Sequence, residues 1–208
     1  MARPKDADSA ATFDSIIVAA LEVLAEADSP SKLSVRKVAA RAEVSLGTIQ
    51  YYFPTKDSLL EACLDGYYER LALLGQKIVA GATSPAADKA AYIEASVREL
   101  YRFVRRERVA VGLRMATNTT KGQLHPQRQA EFMGSAIQAA ATALTPFVDI
   151  EELDVRLSIQ AMASILVRMA LMSDTEIQHL TDLDGEEARN AIEDYVVRAA
   201  KRLVGLAA

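Results

Sequence analysis

Apolar residues recur every three or four positions along nearly the whole chain, and no stretch alternates apolar with polar positions as a half-buried strand would. This spacing predicts an all-α protein of about nine helices. The first predicted helix covers residues 10–27 and ends before Pro30, because proline cannot continue a helix. A long helix is expected from about residue 55 to 80, and the later helices are predicted at 85–107, 109–119, 125–144, 151–172 and 186–204.

Two short helices joined by a tight turn are predicted between Ser34 and Phe53. Ser34 precedes the first of them and Ser45 precedes the second, at positions where a serine hydroxyl accepts a hydrogen bond from an otherwise unpaired backbone N–H. Their apolar residues can form one small shared core: Val38, Ala39, Val44, Ile49 and Phe53. The arrangement describes a helix-turn-helix, whose second helix enters the major groove of DNA. On spacing alone, an ordinary helical hairpin with a basic solvated face remains the alternative.

Charge is distributed unevenly along the chain, so the negative net charge does not describe every segment. The chain of 208 residues has a formal net charge of −4, which by itself argues against a nucleic-acid partner. Residues 32–56, however, contain five cationic side chains and one acidic one, so this segment carries +4 and the remainder carries −8. A local basic patch on an acidic protein is typical of a DNA-binding protein that does not bind every polyanion.

Few other classes of chemistry are suggested. The single cysteine, Cys63, excludes an intrachain disulfide and a multi-cysteine zinc site. No apolar run has the length of a membrane helix, and the first residues lack the apolar centre of a signal peptide. We therefore expect a cytoplasmic protein without a membrane partner, a metal or another cofactor.

The segment SVRKVAARAEVSLGTIQYYFPTKDSLL, Ser34 to Leu60, closely resembles the DNA-binding core of the TetR (tetracycline-repressor) family. The shared features are a hydroxyl N-cap, the pattern Val-Ser-x-Gly-Thr, an aromatic run ending in Phe53, and Lys56 three residues later. The resemblance covers roughly residues 10–64, whereas the rest of the chain matches only in length and helicity.

The resemblance implies two domains, a helix-turn-helix DNA-binding domain at 1–56 and a helical regulatory domain, for ligand binding and dimerisation, at 57–208. It assigns phosphate contacts to Ser34, Arg36, Ser45, Tyr51 and Lys56. It implies that three side chains face bases: Leu46, Thr48 and Gln50. Gly47 would let the backbone approach DNA closely, and Tyr52 is either a phosphate contact or a packing residue.

Two residues depart from the expected pattern. Gln50 stands where the family commonly has tyrosine, so it either contacts a base or replaces a phosphate contact. Glu43 stands where a helix-turn-helix usually has glycine, and a left-handed backbone there would cost about 1 kcal/mol.

The resemblance also implies a homodimer on a palindromic operator, formed through the last two helices, and a repressor that a small-molecule effector releases. Matching apolar residues on the two helices are Leu157, Ala161, Ile165 and Met169, and then Ile192, Tyr195, Val196, Ala199 and Leu203. The alternative is that these residues face only their own core.

Candidate effector-pocket walls are soft and apolar: Tyr67, Tyr68, Leu71, Tyr101, Phe103, Met115, Phe132 and Met133. Arg114 either pairs with an anionic ligand or forms a salt bridge. A cluster of arginines is expected to complement a helix C-terminus, with an acidic ligand as the alternative: Arg102, Arg105, Arg106 and Arg108.

Two other functions compete with the regulator. Glu176 and His179 have the Glu-x-x-His spacing of helical di-iron enzymes, but His125 has Gly122 at the matching position, so the required second copy is missing. A helical adaptor that has lost DNA binding is the other alternative, and the intact Gly47, Tyr51 and Lys56 argue against it.

Overall fold

The computed structural model describes residues 5–27, 29–82, 88–121 and 135–206. All regular structure within these ranges is helical, which confirms the all-α prediction. Ten α-helices are described: α1 (Lys5–Ala25), α2 (Val35–Arg41), α3 (Leu46–Tyr52), α4 (Lys56–Ala82), α5 (Lys89–Arg106), α6 (Arg108–Lys121), α7 (Ile137–Leu144), α8 (Glu152–Leu171), α9 (Asp174–Thr181) and α10 (Gly185–Leu203). Two short 3-10 helices lie at Pro30–Lys32 and Thr145–Phe147.

Hydroxyl groups begin the helices of the predicted helix-turn-helix. Ser34 Oγ accepts a hydrogen bond from the Lys37 N–H at 3.4 Å, and Ser45 Oγ accepts one from the Thr48 N–H at 3.0 Å. Thr55 precedes α4, and its Oγ1 accepts from the Ser58 N–H at 3.0 Å. The predicted caps of α2 and α3 are therefore confirmed.

Helix α9 is missing from the sequence prediction, which ended one helix at 172 and began the next at 186. Its first turn is a capping box, in which Ser173 Oγ accepts from the Glu176 N–H and the Glu176 carboxylate accepts from the Ser173 N–H. Asp182, at a φ of 54°, ends the helix in the left-handed region. The Ser-x-x-Glu signature of this start was present in the sequence.

The chain packs as two compact units. The first contains residues 1–69 together with 112–122, and the second contains 70–111 together with 123–208. Helix α1 packs on α2, and α2 on α3, within the first unit. Side chains buried there include Ile16, Ala20, Val23, Val38, Ile49, Phe53, Leu59 and Cys63.

In the second unit, α5, α8 and α10 all pack against one another, α7 lies on α8, and α9 lies on α10. Buried residues from the three central helices include Tyr101, Val104, Val155, Leu166, Ile192 and Val196. Ile192 and Val196 thus belong to the core of their own unit, and the expectation that they face a partner chain is wrong. The spacing of apolar residues could not distinguish a face that packs on its own chain from one that packs on a partner, because both have the same helical period.

Charged side chains join α5 to α10. Glu193 is buried and accepts hydrogen bonds from Arg98 at 3.1 Å and from Arg102 at 2.8 Å. The Arg105 guanidinium pairs with Asp174 of α9 at 3.2 Å. Arg102 and Arg105 therefore pair with carboxylates of other helices, and Arg105 and Arg106 lie in the last turn of α5, where cations were expected to complement a helix C-terminus. Among the described helices none is by itself long and apolar enough to cross a membrane, although α8 and α9, bent by 106°, pass together on length and composition.

Candidate nucleic-acid interface

Helix α3 presents one face outward. Ile49 and Phe53 turn inward and are buried, which holds the helix against the core of the first unit. The opposite face is exposed, with Leu46 at 40% and Tyr51 at 81% of full exposure. Exposed residues on this face include Ser45, Leu46, Gly47, Gln50 and Tyr51. Thr48 is half-buried, and its hydroxyl lies 2.8 Å from Ser45 Oγ.

Gly47 lies in the first turn of α3, and the fold itself does not require a glycine there. A Cβ at this position would meet only Ser45 Oγ, at 3.7 Å, which is ordinary van der Waals contact. Glycine in a helix costs about 0.5–1 kcal/mol relative to alanine, and packing within the chain gives no reason for that cost at this position.

Five of the predicted DNA-contact residues line one surface groove of about 400 Å³ in the first unit. They come from the cap of α2, from α2 itself, from α3 and from the start of α4: Ser34, Arg36, Leu46, Gln50 and Lys56. The buried side chains of Ile49, Phe53 and Leu59 also contribute to the groove. The structure thus brings together residues that are up to 22 positions apart in the sequence.

The basic segment offers fewer free charges than its composition suggested. The Arg41 guanidinium bonds Glu22 at 3.2 Å and Glu26 at 2.7 Å, both on α1. The bond from Arg41 lowers the pKa of the Glu26 carboxyl, so this pair remains ionised at neutral pH. Arg41 therefore links α2 to α1. The sequence did not predict these ion pairs, because both partners lie on another helix.

Two cations on α2 remain exposed. Neither Arg36 nor Lys37 forms an ion pair with another side chain in the described part of the molecule. Lys37 was not among the predicted contacts, although its place on the outer face of α2 follows from the helical period. Lys56 is half-buried, and its ammonium group donates to the Ser31 carbonyl oxygen, which fixes it beside the groove.

Tyr52 packs against α1 and does not project outward. Its hydroxyl donates to the Ser9 carbonyl oxygen at 3.2 Å and lies 2.9 Å from Ser9 Oγ. Its ring meets the Phe13 ring edge-on, with centroids 6.2 Å apart. Of the two roles left open for Tyr52, these contacts favour packing.

The turn between α2 and α3 is left-handed at Glu43. This residue has a φ of 55° and is exposed. The left-handed backbone considered for this position is therefore confirmed, and glutamate carries a Cβ that disfavours this region of backbone space.

The candidate effector-pocket residues fall in both units. Tyr67, Tyr68, Arg114 and Met115 belong to the first, where Tyr67 is buried and Met115 is exposed. Leu71, Tyr101 and Phe103 belong to the second, where the two aromatic residues are buried. Arg114 Nε is buried and has no hydrogen-bond partner among the residues that the structure describes.

Phe132 and Met133, which were also predicted to line the pocket, lie outside the described residues.

The Glu-x-x-His pair, Glu176 and His179, has a structural explanation in part. Glu176 closes the capping box of α9 and accepts from Arg168 at 2.9 Å, and the hydrogen bond from the Ser173 N–H is the largest cause of its lowered pKa. Across the described ranges, no three His, Cys, Asp or Glu side chains gather in a way that could hold a metal ion.

Residues 16–63 match the family described as bacterial regulatory proteins, tetR family. The N-terminal helix-turn-helix segment of the chain is thus similar to that of the TetR family. The matched segment runs from the middle of α1 into α4 and contains the whole helix-turn-helix.

Other proteins are similar to part of the chain in sequence or to most of it in fold. An HTH-type transcriptional regulator from the dhlA 5' region of Xanthobacter autotrophicus is 42% identical over 60 residues, which is 29% of this chain and 29% of that relative. A TetR-like transcriptional regulator from Rhodococcus sp. RHA1 has the same fold, with a TM-score of 0.61 and 18% identity over 93% of this chain and 96% of its own. The multidrug binding protein EbrR, solved in complex with imidazole, has a TM-score of 0.50 and 23% identity over 94% of this chain and 90% of its own. The fold of the whole chain is therefore that of TetR-like proteins.

Proposed function

We propose that the protein is a ligand-responsive transcriptional regulator that binds a palindromic operator as a homodimer. The observation that carries this proposal is the outward face of α3, which is exposed beside a groove holding five of the expected DNA contacts. The major groove of B-DNA admits one α-helix, whose first residues reach the base edges.

Within this proposal the contact residues on and around α3 fall into two groups with different tasks. Ser34, Arg36, Ser45, Tyr51 and Lys56 hold phosphates, and these contacts position the helix without selecting a sequence. Leu46, Thr48 and Gln50 face bases, and an amide such as that of Gln50 can bond adenine through two hydrogen bonds. Gly47 lets the helix backbone lie close to the DNA.

A second copy of the chain supplies the second recognition helix. Helix α8 leaves Leu153 and Leu157 exposed, and Tyr195 is exposed on the neighbouring helix α10. The two helices are joined within the chain by the Ser158 hydroxyl, which donates to the Leu203 carbonyl oxygen at 2.8 Å. A two-fold dimer through this face reads two half-sites about 34 Å apart.

Regulation follows from a difference in affinity. DNA binds one geometry of the dimer better than another. An effector that binds the other geometry better weakens DNA binding by its difference in affinity for the two geometries, and DNA weakens effector binding by the same factor. We propose that the effector releases the protein, which makes it a repressor, and that it acts in the cytoplasm. The proposed regulator has no catalytic activity, and it retains DNA binding, unlike an adaptor that has lost it.

Selection of bound sequences from random duplex DNA tests the proposal. We expect enrichment of a palindrome by the unaltered protein. Gln50→Ala should enrich different bases at symmetric positions, whereas Gln76→Ala, which removes an exposed glutamine from α4, should enrich the original palindrome. A population that remains random with the unaltered protein would overturn the proposed function.

A further inference from the structure

Helix α3 begins with an exposed apolar side chain. Leu46 is its first residue and directly follows the Ser45 cap. Leu46 is 40% exposed, whereas Ile49 and Phe53, which line the same groove, are buried. A single exposed leucine is common on protein surfaces, so its position matters more than its exposure. The first residues of a helix in the major groove are those that reach the base edges.

The Thr48 hydroxyl is engaged inside the first turn of α3. Thr48 Oγ1 lies 2.8 Å from Ser45 Oγ, and Ser45 Oγ also accepts a hydrogen bond from the Thr48 N–H at 3.0 Å. In the proposed function the Ser45 hydroxyl binds a phosphate, which it does as a donor. Because a hydroxyl has one proton and two acceptor lone pairs, the Thr48 hydroxyl then donates to Ser45 Oγ and has no proton left for a base. The Thr48 methyl group has no such internal bond.

Gln50 differs from the other two side chains that are expected to face bases. It is exposed, and its side-chain amide forms no hydrogen bond with the residues that the structure describes. Gly47, between Leu46 and Thr48, has no side chain. The first turn of α3 therefore offers mainly apolar groups to DNA, and a free polar side chain follows only at Gln50.

The chemistry of the major groove limits what an apolar side chain can recognise there. Three of the four bases present only hydrogen-bond donors and acceptors on this edge, whereas thymine also presents its C5-methyl group. A leucine placed against a polar edge would take donors or acceptors away from water without giving them a partner, which is unfavourable. Against a methyl group it removes apolar surface from water, which is favourable.

We propose that Leu46 selects a thymine in each half-site through the C5-methyl group, and that the Thr48 methyl group extends the same apolar contact. Gln50 then supplies the polar part of the base recognition. This inference rests on the proposed operator-binding regulator and names the base that the first turn of its recognition helix selects.

Replacement of thymine by deoxyuridine in the selected palindrome tests the inference, because it removes the methyl group and keeps the base pair. Each thymine on either strand is replaced together with its symmetric mate, and fluorescence anisotropy gives the dissociation constant of each duplex. One buried methyl group is equivalent to about fourfold in affinity. We therefore expect at least one symmetric replacement to weaken binding roughly fifteenfold.

Variants of α3 locate the methyl contact. In Leu46→Ala the difference between the thymine and deoxyuridine duplexes should disappear at that position, whereas an effect of the methyl group on DNA shape alone would persist. Leu73→Ala is the matched control, since it removes a leucine that is 65% exposed on α4, and it should keep the full difference. Thr48→Val keeps the methyl group without the hydroxyl and should enrich the same palindrome as the unaltered protein.

Three outcomes would overturn the inference. The first is a palindrome that the unaltered protein binds equally well with every thymine pair replaced in turn. The second is a difference between the two duplexes that persists undiminished in Leu46→Ala. The third is a changed base preference in Thr48→Val, which would mean that its hydroxyl contacts a base. In all three cases the palindrome itself is still bound, so these results differ from the random population that would overturn the proposed function.

Discussion

Gly47→Ala should stabilise the protein and weaken its binding to DNA. The added Cβ meets only Ser45 Oγ at 3.7 Å, so the substitution introduces no clash within the chain. Alanine in place of a helical glycine contributes about 0.5–1 kcal/mol to the free energy of unfolding, which corresponds to a rise of roughly 1–4 °C in melting temperature for a protein of this size. The same methyl group would lie between the helix backbone and the DNA, and we expect the affinity to fall at least about tenfold, or ~1.4 kcal/mol.

Two assays separate these effects. Circular dichroism follows thermal unfolding, and fluorescence anisotropy with a labelled duplex from the selection gives the dissociation constant. Gly75→Ala is the matched control, because Gly75 also lies in a helix, α4, with nothing within 4 Å of an added Cβ. It should gain the same stability and bind DNA normally. The reasoning is refuted if Gly47→Ala binds as tightly as the unaltered protein, or if Gly75→Ala loses affinity to the same extent.

Four further outcomes are expected. Arg36→Ala should weaken binding on all sequences and reduce the salt slope by about one; an unchanged slope in anisotropy titrations would remove Arg36 from the phosphate contacts. Glu43→Gly should raise the free energy of unfolding by about 0.5–1 kcal/mol by relieving a left-handed glutamate, whereas Glu43→Ala should not; equal denaturation midpoints for the two variants would contradict this. Leu157→Asp should give a folded monomer in analytical ultracentrifugation, because Leu157 is 58% exposed in one chain; a persisting dimer would exclude this face. Burial raises the pKa of the Cys63 thiol from its ordinary 9.0 to about 12. The contribution of the protonated thiol to the free energy of unfolding should therefore be complete below pH 9 and be lost as pH rises towards 12. Ready modification of Cys63 in the native protein at pH 8 would contradict its burial.

The helix-turn-helix was predictable because its signals are local. Ser34 and Ser45 each bond a backbone N–H three residues away, and Ile49 and Phe53 lie one helical turn apart on the buried face. Helix α9 was predictable for the same reason, since Ser173 and Glu176 form its capping box, although the predicted helices did not include it.

Contacts between distant helices could not be predicted in this way. Arg41 bonds residues 15 and 19 positions earlier in the chain, on α1, so its charge is neutralised and does not add to the basic face. Glu193 looks like a surface acid in sequence, yet it is buried because Arg98 and Arg102 approach it from α5. Such pairs depend on how helices cross, which neither periodicity nor composition specifies.

Chemical footprinting of the protein on its selected operator tests the central claim most directly, because it records where both recognition helices touch the DNA. The account predicts two protected patches in successive major grooves on one face of the duplex, about 34 Å apart, with protection lost at the same symmetric bases in Gln50→Ala. A single protected patch, or protection confined to the minor groove, would contradict it.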